Sequence, residues 1–159
     1  MLVNSKVLFE KAQEGHYAIP SANVLDMESI KNHIQLAEKL GLPLIVGVAE
    51  SHLGSNISLE DAALVGRKYA AEASVPVVLH LDHGESFETC KKAIDLGFTS
   101  VMIDASMKSF EENVETTRKV VEYAHARGLT VEAEIGHVAS NFDENDTETL
   151  YTTAEEASS

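Results

Sequence analysis

Apolar runs recur along the chain with helical segments between them, and this period most limits what the chain can fold into. The runs read "YAIPSANV" (17–24), "PLIVGVA" (43–49), "VPVVLHLD" (75–82), "TSVMIDA" (99–105) and "TVEAEIG" (130–136). Their starts lie roughly 24–32 residues apart, the length of one strand–helix unit. Nearly continuous apolar strands are buried on both faces, which means a parallel sheet covered by helices. The intervening segments carry stripes at helical spacing. Ile30, Ile34, Ala37 and Leu40 form one, and Phe110, Val114, Val121 and Ala124 form another. Ser58–Asp61 and Ser109–Glu112 have capping-box spacing at helix starts. Gly41, Gly97 and Gly128 each follow a helical segment and precede a strand, as glycines that close a helix do.

Two architectures accommodate this pattern, a doubly wound open sheet and a (β/α)8 barrel. The open sheet places a glycine-rich phosphate turn after its first strand, and "SANVLDMES" contains no glycine. The expectation is therefore an α/β fold of the (β/α)8 TIM-barrel type, with about five βα units in this chain. Residues 1–159 read as a single domain, and an opening helix over Ser5–Glu14 would close the bottom of the barrel.

Polar residues collect where each strand ends: Asn23, Glu50, Asp82 with His83, Asp104, and Glu132 with Glu134. A barrel builds its active site on that face. Each residue has a local alternative when taken singly; Asn23 can cap the next helix and Asp104 a turn. Strand alternation puts His80 and Asp82 on one side, while His83 lies at the turn into "GES". A neutral imidazole there can bind a metal, and a carboxylate beside it can move a proton on a bound substrate. His80 fits a buried, hydrogen-bonded support for that site. His33, His52 and His125 fall in helices or loops and read as surface residues; His16 and His137 are ambiguous.

Several function classes are disfavoured. The formal charge of −14, without an Arg/Lys block, argues against nonspecific nucleic-acid binding. No apolar run reaches the ~18 residues of a membrane span. The opening "MLVNSKVLFEKAQEGH" lacks the long apolar block expected of a signal peptide, and Cys90 has no cysteine partner, so a cytoplasmic setting is expected. No strand segment contains Lys or Arg, and Lys108, in the loop after the fourth strand, is the nearest amine for an imine. There is no G-x-S-x-G, and Cys90 reads as a buried, inert thiol.

With these residues in place, "HLDHGESFETCKKAIDLGFTSVMIDAS", "FEENVETTRKVVEYAH" and "VEAEIG" resemble the class II, metal-dependent ketose-bisphosphate aldolases, a family that includes fructose- and tagatose-bisphosphate aldolases. The resemblance runs from "YAIPSANV" to "YTTAEEA" and implies a barrel that binds zinc. It implies that Asp82 is the catalytic acid/base for the C4 hydroxyl of the substrate. It implies that His83 is a zinc ligand, and that Asp104 and Glu134 hold a second cation or an alternative position of the first. Asn23 matches an asparagine at the end of strand one, beside the substrate. The substrate class would be a phosphorylated sugar, fructose or tagatose 1,6-bisphosphate, cleaved to dihydroxyacetone phosphate and glyceraldehyde 3-phosphate.

The chain also departs from the pattern. Two further zinc histidines and the glycine-rich phosphate segments that the family carries later have no counterpart here. The capping-box spacing of Thr153–Glu156 announces a helix that reaches Ser159 within about one turn. The sequence thus reads as the amino-terminal portion of a barrel. Phe142 stands near the family's mobile-loop glutamate, with Asp143 or Glu144 as substitutes; Met107 replaces a common histidine, and Ala49 a common serine. An open half-barrel leaves strand edges and apolar surface to cover, so a homo-oligomer is the expected state. A non-catalytic half-barrel retaining divalent-metal affinity is the alternative, and an unrelated metal-dependent lyase a more distant one.

Overall fold

Each long helix on the outer face begins where a side chain can close its first turn. In this computed structural model, which describes residues 1–136 and 151–158, Asp26 caps α2 (Met27–Leu40) by accepting from the Ser29 amide at 2.7 Å. Ser58 caps α3 (Leu59–Glu72) through the Asp61 amide, and Ser86 caps α4 (Phe87–Leu96) through the Thr89 amide. Ser109 and Glu112 form the full reciprocal box at the start of α5 (Phe110–His125). Thr153 and Glu156 do the same before the short α6 (Ala154–Ser158). Gly41, Gly97 and Gly128 all have φ between 68° and 99°, the left-handed region that a side chain disfavours.

Between the helices lie β1 (Ser21–Asn23), β2 (Leu44–Ala49), β3 (Val77–Gly84), β4 (Ser100–Ile103) and β5 (Thr130–Ala133). They form one parallel sheet in the order β1-β2-β3-β4-β5. Among the described residues the order never reverses, so these strands have no switch point of the doubly wound kind. Sequential parallel strands with helices on the outer face form an arc of a (β/α)8 barrel wall.

The two faces of this sheet are covered differently. Val46, Val48, Leu79, Leu81, Val101 and Ile103 point to the helices and belong to the main core. Ile45 and Val78 point the other way and pack with Leu8 of α1 (Ser5–Gly15). This helix is the expected opening element, one residue longer. It lies across the amino-terminal ends of the strands: Val3 donates to the Val77 carbonyl, and the Asn4 side chain to the Gly128 carbonyl at 2.8 Å. His16 closes α1 in the left-handed conformation, which gives that histidine a structural place.

Several expectations need correction. Strand one is ordered as a strand only over Ser21–Asn23, and β5, at the other edge, is half-buried to exposed rather than buried on both faces. Leu40 and Val114 are exposed, at 58% and 38%. On α5 the buried positions are Asn113, Val120 and Ala124, because the Asn113 side chain turns inward and donates to the Glu134 carbonyl at 2.7 Å. His33 and His52 are half-buried rather than superficial, and His33 Nδ1 bonds the Ser29 carbonyl. Among the described residues no helix is long and apolar enough to cross a membrane.

Candidate active site and metal centre

Alternation along β3 sends Val77, Leu79 and Leu81 to the helices and Val78, His80 and Asp82 to the inner face. Simple alternation would then turn His83 away. A β-bulge prevents this. Leu81 pairs with Val101 but Gly84 pairs with Ile103, so β3 spends an extra residue against β4. His83 takes a left-handed φ of 47° at that point, which costs a non-glycine residue about 1–2 kcal/mol. Gly84 follows because no side chain fits: an added Cβ would meet the Met102 carbonyl oxygen at 2.7 Å and Cys90 Sγ at 2.9 Å. Bulges commonly re-aim a side chain beside an active site.

The re-aimed imidazole meets two carboxylates. His83 Nδ1 lies 2.8 Å from Asp104 Oδ2 and 4.0 Å from Glu134 Oε2. One donor atom from each of the three residues falls within 4.8 Å of the others. Burial, the largest influence on His83, pulls its pKa down, yet the Asp104 hydrogen bond and the charges of Asp82, Asp104 and Glu134 together raise it above the ordinary value. Burial pushes Asp104 up; hydrogen bonds from Ser106 and His83 outweigh it and hold the carboxyl below its usual range. A nitrogen and two carboxylate oxygens suit a borderline or hard divalent cation, so the donor set fits such an ion at this place.

Asp82 stands beside this cluster on the inner face, held by Asn23, whose amide nitrogen donates to Asp82 Oδ2 at 3.1 Å. Gly47 on β2 leaves the space for Asn23: a Cβ there would collide with Asn23 Oδ1. Below lies a hollow of about 340 Å³ bounded by Ser21, Ile45, His80, Asp82, Glu132 and Phe9 of α1. His80 is 5% exposed, bonds Ser100 Oγ through Nδ1 at 2.9 Å, and has Nε2 3.6 Å from Glu132. Burial, with a lesser opposing effect of Asp82, lowers its pKa to about 4, so it is neutral at pH 7. Burial and then the Asp82 charge raise the Glu132 pKa.

The strand-end residues thus separate. His83, Asp104 and Glu134 share one cluster; Asn23 and Asp82 form a pair next to it; Glu132 faces His80. Glu50 joins none of them. It lies in a 3₁₀ turn, Glu50–His52, and accepts from the Glu85 amide and the Thr89 hydroxyl. Lys108 extends to Thr116 on α5, and Met107 is 71% exposed. Cys90 is buried, and desolvation, with Glu50 nearby, pushes its thiol up to about 12. His137, Phe142, Asp143 and Glu144 lie outside the described residues. Two contributors escaped sequence reading, Asn113 and the loop-binding role of Glu50. The signal for Asn113 was a polar residue on the buried side of a helix.

Comparison with known proteins gives the family and the fold. The family described as fructose-bisphosphate aldolase class-II matches residues 3–159. The chain belongs to that family. The fructose-bisphosphate aldolase of Staphylococcus aureus is 43% identical over 145 residues, covering 90% of this chain and 51% of the relative. That of Geobacillus stearothermophilus is 45% identical over 146 residues, covering 90% and 50%. The YdjI aldolase from Escherichia coli K12 superposes with a TM-score of 0.80 at 35% identity, over 89% of this chain and 53% of that one. A putative fructose-1,6-biphosphate aldolase from Coccidioides immitis gives 0.82 at 33%, over 98% and 55%. The chain spans about half the length of the curated relatives it matches.

Proposed function

We propose that the protein is a divalent-metal-dependent aldolase acting on fructose 1,6-bisphosphate, or on its C4 epimer tagatose 1,6-bisphosphate. The observation that carries the reading is the cluster of His83, Asp104 and Glu134 beside the Asn23–Asp82 pair, in a chain of this family. His83, Asp104 and Glu134 would hold the cation, zinc in this reading. When bound, such an ion supplies Lewis acidity toward a substrate carbonyl.

The chain's own part is proton transfer and orientation. In cleavage Asp82 takes the proton of the C4 hydroxyl as the C3–C4 bond breaks, C4 becoming the aldehyde and C3 keeping the electron pair. In condensation the aspartic acid returns that proton to the aldehyde oxygen. Asn23, donating to one oxygen of Asp82, fixes the rotamer and lies where substrate would sit. His80, neutral and tied to Ser100, fills the floor without adding charge beneath Asp82. Residues 1–159 act in this reading as one domain, the amino-terminal part of a barrel. We expect a homo-oligomer in the cytoplasm, with Phe9 and Tyr17, 51% and 48% exposed, among the apolar surface to be covered.

The test is formation of triose phosphate from fructose or tagatose 1,6-bisphosphate with added zinc. Asp82→Asn should lower turnover about 10²–10⁴-fold with an unchanged melting temperature. Full turnover in that variant removes Asp82 from the role. A second reading is favoured by the ligands all lying on or just after β3, β4 and β5: the chain binds the cation without turning over sugar. Calorimetric cation binding, lost in His83→Ala, with no triose phosphate formed, would select it.

A further inference from the structure

The turn that carries His83 is held from two sides. From β4, the Asp104 amide donates to the Gly84 carbonyl at 2.8 Å. From the end of β2, Glu50 Oε2 accepts from the Glu85 amide at 2.7 Å, and Glu50 Oε1 accepts from the Thr89 hydroxyl at 2.9 Å. Glu85 lies two residues past His83, and Thr89 is in the first turn of α4. One carboxylate therefore grips the chain on both sides of Ser86, the cap of that helix. His83 occupies a left-handed conformation, and a residue held there stays only while its surroundings over-determine it.

We propose that Glu50 is a positioning residue for the His83 imidazole. Its carboxylate clamps the turn from Gly84 to Ser86, so that the bulge persists and Nδ1 faces Asp104 and Glu134. Glu50 acts through the Glu85 amide and the Thr89 hydroxyl and touches neither cation nor sugar; both its oxygens are engaged, and it is not among the grouped ligands. The inference rests on the reading of His83, Asp104 and Glu134 as a cation site.

The test compares Glu50→Ala with Glu50→Gln. A glutamine offers its oxygen to the Glu85 amide and its NH₂ to Thr89 Oγ, so it preserves the clamp without the charge. Zinc and cobalt affinity of the full chain is read by calorimetry, and hydrogen exchange at the Glu85 amide by NMR without metal. In Glu50→Ala the affinity should fall about 10–100-fold, and the Glu85 amide should exchange faster. Glu50→Gln should match the unmodified chain in both. Thr89→Val, which breaks one of the two bonds, should fall between, and thermal melts show that each variant is folded. Undiminished affinity in Glu50→Ala, or equal losses in Ala and Gln, overturns the proposal. If the unmodified chain takes up neither metal, the cation reading fails by itself, and Glu50 is judged on exchange: an unchanged Glu85 amide in Glu50→Ala overturns its role.

Discussion

The two faces of the sheet are made by the same strands and obey opposite rules. Toward the helices, Val46, Val48, Leu79, Leu81, Val101 and Ile103 are at most 1% exposed and none carries a polar side-chain atom. Toward the inside, Asn23, His80, Asp82, Ser100 and Glu132 alternate with them, and each polar contact is made one bond at a time. Burial of apolar area is additive and tolerant of detail. Of the inner-face polar residues, His80 and Ser100 are buried; buried polar groups stabilise little and are costly when a partner is lost. The outer face thus supplies the folding free energy that lets the inner face gather acids, which repel one another, around an imidazole.

The largest expected effect separates these faces directly. Leu79→Ala should destabilise the chain by about 2–5 kcal/mol, because Leu79 is 1% exposed and packs under Gly66 of α3. Cation affinity should hardly change. His83→Ala should do the reverse, abolishing affinity with little change in a denaturant midpoint. If Leu79→Ala weakens cation binding as much as it weakens the fold, the faces are not separable.

The outer face was also the more legible in sequence. Apolar strands, capping serines and closing glycines are local signals, each decided by a few neighbouring residues, and Ser58, Ser109, Gly41, Gly97 and Gly128 all sit where the pattern put them. The convergence of His83, Asp104 and Glu134 was legible as polar residues at strand ends. The bulge that aims His83 was not, since it arises from the register of β3 against β4 rather than from either strand. Val114 was placed in the core by periodicity, but Asn113 took the inward position because the Glu134 carbonyl needed a donor. Glu50 looked like one more rim acid; only the fold brings the Glu85 amide to it.

Acid acts on the inner face through its two histidines. The unfolded value of His80 is near 6.5 and its folded value about 4, so the unfolded chain takes up the proton first as pH falls. The stability due to neutral His80 is present above about pH 6.5 and drains between there and pH 4, by about 3 kcal/mol. His83 has the opposite sign: its raised value gives a contribution present below 6.5 that is lost as pH rises through the folded value. His80→Gln should therefore lose less stability than the unmodified chain when urea unfolding is compared at pH 7 and pH 4. Equal acid losses in both would place the sensitivity elsewhere, among the carboxylates.

The smallest effect tests the narrowest point of the inner face. Gly47 has no left-handed backbone angle to protect, so alanine is permitted by conformation. What opposes it is the Asn23 side chain, with Ser21 Oγ a further 3.4 Å contact of the added Cβ. Overpacking costs about 1–3 kcal/mol, while replacing glycine returns about 0.4–1 kcal/mol through the unfolded state. Gly47→Ala should thus be a net loss of about 1 kcal/mol, and the displaced Asn23 should release Asp82. In an Asn23→Ala background the obstruction is gone, and the same Gly47→Ala change should become neutral or stabilising. A double-mutant cycle on unfolding free energies measures this coupling directly. A coupling energy near zero would mean that Gly47 shapes the strand itself and that Asn23 holds Asp82 without its help.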